Sequence, residues 1–174
     1  NESLKRILQG NISGEFELDQ NANLLEAVKN MNKIGAILPE DINNNQSTKL
    51  LGSLFFVPPV TGPISAKYLE VDDHYGVDIL ASSNTPVKSI MDGIVVFSDW
   101  TMEAGNTLAI QHPNNIISVY KHNSGLLKKA GLRVSAGEAI AIIGNTGTLS
   151  DGPHLHFELW YDGLSVDPEK YINF

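Results

Sequence analysis

Apolar and polar positions change rhythm once along this chain. Over residues 1 to about 38 the apolar positions recur at helical spacing. Leu24, Val28, Met31 and Ile34 fall on one helical face with Asn23 placed to cap it, and Ser3 is placed to cap a shorter helix ending at Gly10. A polar tract without period follows over residues 39–49, with Pro39, Glu40, Asp41 and the run Asn43-Asn44-Asn45-Gln46. It reads as a linker. From Leu51 onward, short apolar runs are separated by Gly, Pro, Asn and Asp. Leu54–Val57 is halted by Pro58-Pro59, and Val87–Ile90 and Ile94–Phe97 flank Met91-Asp92-Gly93, whose Asp-Gly pair predicts a hairpin. Thr107–Gln111 and Ile116–Tyr120 flank a second turn at His112-Pro113-Asn114-Asn115, and Ala139–Ile143 and Leu155–Trp160 add two more runs. The pattern predicts a helical arm with a polar linker over residues 1–50. Over residues 51–174 it predicts a mainly β domain built as an antiparallel sandwich or barrel.

Charge and composition narrow the function. A formal net charge of -8 disfavours nucleic acid and anionic lipid as partners, because an acidic surface attracts neither. There is no cysteine, so disulfides and thiolate zinc sites are excluded and any metal must be held by imidazole and carboxylate. No apolar run reaches the length of a membrane-spanning helix. The chain starts at Asn1 rather than methionine, which suits a processed or trimmed form and leaves room for a signal or membrane anchor ahead of it.

The five histidines are unevenly spread. Three of them lie in two short motifs, His74-Tyr75-Gly76-Val77-Asp78 and His154-Leu155-His156. In a strand, alternate side chains share a face, so His154 and His156 point one way and Leu155 the other. His74 and Asp78, four apart, also share one face of an extended segment, and Gly76 with the β-branched Val77 and Ile79 disfavours a helix here. Two such segments side by side bring imidazole, carboxylate and imidazole to one point. Three protein ligands leave a fourth tetrahedral position for water, the arrangement of a catalytic zinc. The helical H-E-x-x-H motif is absent, so the acid/base must come from elsewhere, and His122 and the non-ligating member of the 154/156 pair are the candidates. Taken alone, H-x-x-x-D recurs by chance, and the argument rests on finding both motifs in one chain. His112, in its Asn/Pro turn, reads as a solvated turn residue. Glu158 falls on the face of the H-x-H motif, either orienting a ligand or paired as an ordinary polar residue. Tyr75 and Tyr120 suit either a groove or packing, and Trp100 and Trp160 read as packing residues.

These residues resemble the lysostaphin/LytM-type zinc metalloendopeptidases, which cut peptide bonds in bacterial peptidoglycan. The likeness runs from about Phe56 to Tyr171. Besides the two histidine motifs it includes Thr85-Pro86-Val87, Asp92-Gly93-Ile94-Val95, Gly105–Ile110, Tyr120-Lys121-His122, Gly144-Asn145-Thr146-Gly147 and Gly152–Glu158. The resemblance implies that His74, Asp78 and His156 hold one Zn2+ ion and that His122 and His154 are the catalytic pair. It further implies a mainly antiparallel sheet with a groove over the metal, peptidoglycan peptides as substrate, and a periplasmic or extracellular place in the cell envelope. One departure is visible: Asn123 stands where the family commonly has leucine. The family also contains degenerate members that activate cell-wall amidases, so the alternative function is a non-catalytic envelope regulator. A phosphocarrier with two facing histidines is a further alternative, against which Asp78 speaks.

Overall fold

A computed structural model of the protein describes residues 50–174. Apart from Leu50, the expected helical arm and linker lie outside the described residues. Eleven strands follow in chain order: β1 (Ile64–Ala66), β2 (Val77–Leu80), β3 (Pro86–Lys88), β4 (Gly93–Thr101), β5 (Gly105–His112), β6 (Ile116–Asn123), β7 (Gly125–Leu126), β8 (Arg133–Val134), β9 (Ala139–Ile142), β10 (His154–Tyr161) and β11 (Leu164–Val166). Eight of them form one antiparallel sheet in the order β1-β2-β10-β6-β5-β4-β8, with β11 also on β10, and β3-β9-β7 form a second, smaller sheet.

The core lies between the sheets. Leu155, Phe157 and Leu159 of β10, Val77 and Ile79 of β2, and Leu108 and Ile110 of β5 meet Val87, Ile140 and Ala141 of the small sheet. The other face of the large sheet carries a smaller apolar cluster of Ala109, Ile117, Val119 and Trp160. The expected sandwich is therefore present, and β10 is its central strand: all eight of its residues are buried. β2 pairs with its first half and β11 with its second half along the same edge, while β6 runs along the other edge.

Two expected elements differ. Leu54–Val57 forms no strand; Val57 N–H donates to the Ile90 carbonyl (2.9 Å) and Phe56 is buried, but Pro58 and Pro59 bring no donors to continue a ladder. The hairpin expected around Asp92-Gly93 does not form either. β3 pairs with β9 and β4 with β5 and β8, so Met91-Asp92-Gly93 carries the chain from one sheet to the other. Neither Asp92 nor Gly93 takes the positive φ that a tight hairpin turn needs. Asp92 Oδ1 instead accepts the Ala136 N–H (2.8 Å), and a Cβ at Gly93 would lie 2.6 Å from the Gln111 carbonyl oxygen. The second turn does form a hairpin: β5 and β6 are antiparallel neighbours, with Asn114 and Asn115 at φ of 62° and 56°.

Candidate active site

His74 sits just ahead of β2. A 3-10 turn at Glu70–Asp72 leads into it, Asp73 reverses the backbone at φ 57°, and a bridge between Leu69 and His74 closes the turn. His74 Nδ1 lies 2.7 Å from the Lys67 carbonyl. A carbonyl only accepts, so Nδ1 carries the proton and Nε2 turns a lone pair outward. That lone pair meets Asp78 Oδ1 at 3.3 Å. Asp78 of β2 stands directly opposite His156 of β10 in the sheet register. Gly76, between the two motif residues, is needed for close approach: a Cβ there would lie 2.3 Å from the Phe157 carbonyl oxygen and 2.9 Å from His156 Nε2.

His156 lies between two carboxylates. Its Nδ1 is 2.8 Å from Asp78 Oδ1 and its Nε2 is 3.0 Å from Glu158 Oε1. Glu158 is buried and otherwise fully engaged, with Lys121 Nζ donating to Oε1 and Trp160 Nε1 donating to Oε2 at 2.8 Å. Burial works to raise both carboxyls. The hydrogen bonds of His156 and His74 nevertheless hold Asp78 well below the usual carboxylate range, and the Lys121 charge together with His156 does the same for Glu158. Both are anions at neutral pH. The hydrogen bond to Asp78 in turn lifts His74 above the ordinary imidazole value.

This donor set fits a metal ion. Because Glu158 takes the Nε2 proton of His156, a neutral His156 points its Nδ1 lone pair at a carboxylate, and His74 does the same with Nε2. Either a proton on the imidazole, which makes the hydrogen bonds to Asp78 just described, or a shared cation relieves such a meeting of electron pairs. Among the described residues, His74, Asp78 and His156 offer ligand atoms that all lie within 4.8 Å of one another. Two ligands on a tetrahedral zinc with bonds of ~2.0–2.1 Å sit ~3.3 Å apart, close to the His74–Asp78 separation of 3.3 Å.

His154 and His122 flank this cluster. Their ring centroids are 4.9 Å apart, and His122 lies 6.0 Å from His156. His154 Nδ1 faces the Gly152 carbonyl and His122 Nδ1 the Thr146 carbonyl, each at 2.9 Å. Both rings therefore carry the proton on Nδ1 and leave Nε2 basic, and His154 Nε2 lies 3.9 Å from Asp78 Oδ1. Burial pushes the His122 imidazole down to about 4.

His122 breaks the strand alternation. Tyr120 stands opposite Phe157 and Lys121 opposite His156, so alternation would send residue 122 to the core face with Tyr120. β6 carries an extra residue here: the pairs Asn106↔Asn123 and Leu108↔Tyr120 span two steps on β5 but three on β6. Within this bulge His122 takes φ of 65°, and its ring emerges beside His154. A non-glycine residue held in that region costs on the order of 1–3 kcal/mol.

The structure thus brings together all five residues singled out from the sequence. Others differ from expectation. His112 is not a solvated turn residue but is buried, with Nδ1 on the Asp92 carbonyl (2.9 Å) and Nε2 2.7 Å from Ser118 Oγ. It closes β5 rather than sitting in the turn, so its ring faces the core. Trp100 is half exposed near the end of β4, whereas Trp160 packs as expected and Tyr75 lies against it at 5.9 Å. Tyr120 is core. Lys121 and Thr146 were not foreseen. Lys121, two residues from Val119 on β6, was readable by alternation as a partner for the Glu158 face, whereas Thr146 stood out only as a member of the Gly144-Asn145-Thr146-Gly147 motif, which gave it no role.

The family model of Peptidase family M23 matches residues 72–168. The chain belongs to this family. One M23 relative, the peptidoglycan DD-endopeptidase ShyA of Vibrio cholerae, is 42% identical over 100 residues, which cover 58% of this chain and 23% of that protein. The catalytic domain of the antimicrobial peptidase lysostaphin from Staphylococcus simulans superposes with a TM-score of 0.54 at 29% identity, covering 72% of this chain and 96% of that one. A zinc-containing peptidase from Vibrio cholerae gives a TM-score of 0.54 at 33% identity, over 70% of this chain and 36% of that one. The M23 chain spans only 30%, 24% and 23% of the length of three curated relatives that it matches.

Proposed function

We propose that this domain is a zinc metalloendopeptidase that hydrolyses peptide bonds in bacterial peptidoglycan, in stem peptides or cross-bridges. One observation carries the reading. His74, His154 and His156 converge on the Asp78 carboxylate, His122 stands beside His154 and His156, and a fixed partner sets the protonated nitrogen of each. His74 Nε2, Asp78 Oδ1 and His156 Nδ1 would hold the one ion, and Glu158 keeps His156 in the ligating tautomer. Zinc, when bound, supplies a Lewis acid that polarises the scissile carbonyl and brings the pKa of water to about 7. His122 and His154 present unprotonated Nε2 atoms to the same space. Each is able to take a proton from water and return it to the leaving amine, and each becomes an N–H donor to the developing oxyanion once protonated. The acidic chain offers no general attraction to an anionic wall, so selectivity lies in groove contacts. The names of M23 relatives support the substrate class. A relative called lipoprotein YgeR in Escherichia coli, 30% identical over 146 residues, supports a place in the cell envelope.

The test uses purified peptidoglycan, with mass spectrometry of the released fragments. Wild type loaded with zinc should cut it. His156→Ala should lose both zinc and hydrolysis, whereas His122→Ala should keep zinc and lose about 10²–10⁴-fold in kcat. Cleavage retained by His156→Ala overturns the reading. Zinc-loaded wild type that cuts no peptidoglycan yet stimulates a cell-wall amidase gives the site to the regulatory alternative.

A further inference from the structure

We infer that Asn123 is a positioning residue, whose side-chain amide clasps the β5–β6 bulge and so keeps the His122 imidazole on the groove side of the sheet. The inference rests on the role proposed for His122. Asn123 is fully buried. Its Nδ2 donates across the sheet to the Asn106 carbonyl and back along its own strand to the Tyr120 carbonyl, both at 3.0 Å. Those two bonds span the bulged residues, Lys121 and His122. Asn106 reciprocates: its Nδ2 donates to the Asn123 carbonyl at 3.0 Å and to the Ser124 carbonyl at 3.3 Å. The two amides thus lock the strands together at the point where one strand is a residue longer.

Thr146 closes the clasp from a third direction. Its Oγ1 donates to the Asn123 carbonyl (2.6 Å) and accepts the Asn106 N–H (3.0 Å), while its own carbonyl takes the proton of His122 Nδ1 (2.9 Å). One residue therefore fixes both the backbone beside His122 and the tautomer of its ring. The glycines that flank Thr146 in space make room for it: a Cβ on Gly105 would lie 2.1 Å from Thr146 Oγ1, and one on Gly147 would lie 2.5 Å from Gly105 N.

The amide oxygen of Asn123 is what makes its role specific. Oδ1 is buried with no hydrogen-bond partner among the described residues. A leucine at this place would bring neither an orphan acceptor nor a donor to the bulge. An amide held there in spite of that orphan acts through the two bonds its nitrogen donates. This chain therefore secures its bulge by side-chain hydrogen bonds.

The test uses the zinc-loaded full chain, with Asn123→Leu and, at a partly exposed position, Asn106→Ala. Three quantities are read: kcat and KM on purified peptidoglycan, zinc affinity by chelator competition, and the tautomer of His122 by long-range proton–nitrogen NMR of the imidazoles. Expected is loss of the single Nδ1–H signature of His122 and a fall in kcat of about tenfold to hundredfold, as for a slightly misplaced catalytic group, with KM and zinc affinity little changed. A merely structural amide would lower the melting temperature and leave kcat and the His122 signature of the folded protein as in wild type. That result overturns the inference. Should Asn123→Leu fail to fold, Asn106→Ala carries the same readouts. His122→Ala separates the two levels. Full kcat in that variant removes the proposed role of His122, and the NMR signature then still decides the clasp.

Discussion

The two faces of β10 are both buried and built on opposite terms. On one face Leu155, Phe157 and Leu159 join the core. On the other, His154, His156 and Glu158 are paired with Asp78, Lys121 and Trp160, so that burial is made tolerable by partners rather than by the absence of charge. The core face is not free of polar groups either. His112, Ser118 and Tyr120 form a chain there, with Ser118 Oγ 2.7 Å from His112 Nε2 and 2.9 Å from Tyr120 Oη, which accepts the Ile90 N–H (3.2 Å). That chain consists of neutral groups, whereas the groove face holds formal charges. A sheet sorts its residues by how each is satisfied as much as by hydropathy.

The contrast is open to attack from either side. The largest effect on stability is expected on the core face: Phe157→Ala should destabilise by about 3–5 kcal/mol in denaturant unfolding. His156→Ala, one residue away, should destabilise the metal-free protein less, since Glu158 keeps Lys121 and Trp160. Equal losses would mean that the two faces are energetically alike.

A smaller effect concerns His112, which burial pushes down to about 4 from an ordinary value near 6.5. Its neutral form is favoured by the fold, so the stability it contributes is complete above about pH 6.5 and is lost as pH falls toward 4. The difference between unfolding at pH 7.5 and at pH 4.5 should reach on the order of 2–3 kcal/mol for this group. His112→Gln should remove that part of the pH dependence. An unchanged pH profile in the variant would show that this face does not exclude charge.

The smallest expected effect is at Glu158. Glu158→Gln keeps the shape but removes the anion that takes the His156 proton, and zinc affinity should fall about tenfold by chelator competition. An unchanged affinity would show that Lys121 and Glu158 are packing for the groove face and nothing more.

Much of this could be read from residue order. The alternation of His154-Leu155-His156 and the spacing of His74 and Asp78 were sufficient to place two imidazoles and a carboxylate on one face, because strand geometry acts over a few residues and both motifs lie in or beside regular strands. His122 was legible as a chemical group but not as a direction, because its ring reaches the groove only through a bulge and a left-handed backbone set by contacts from β5 and from Thr146. His112 misled for the opposite reason. Its neighbours Pro113 and Asn114 signal a turn, yet the residue itself still belongs to β5 and faces inward. The Asp92-Gly93 pair misled because tertiary pairing of β3 with β9 overrode a local hairpin signal.

β2 has one consequence beyond chemistry. On its outer side it meets the short β1 and the Gly62-Pro63 stretch ahead of it, while its inner side meets β10 through the register that sets Asp78 against His156. An ion shared by those two side chains, as proposed, would act as a rivet between a peripheral ribbon and the central strand. Removing it with a chelator should loosen the stretch from Lys67 to Leu80 first, so protease nicking there would report on metal loss before the rest of the sheet gives way.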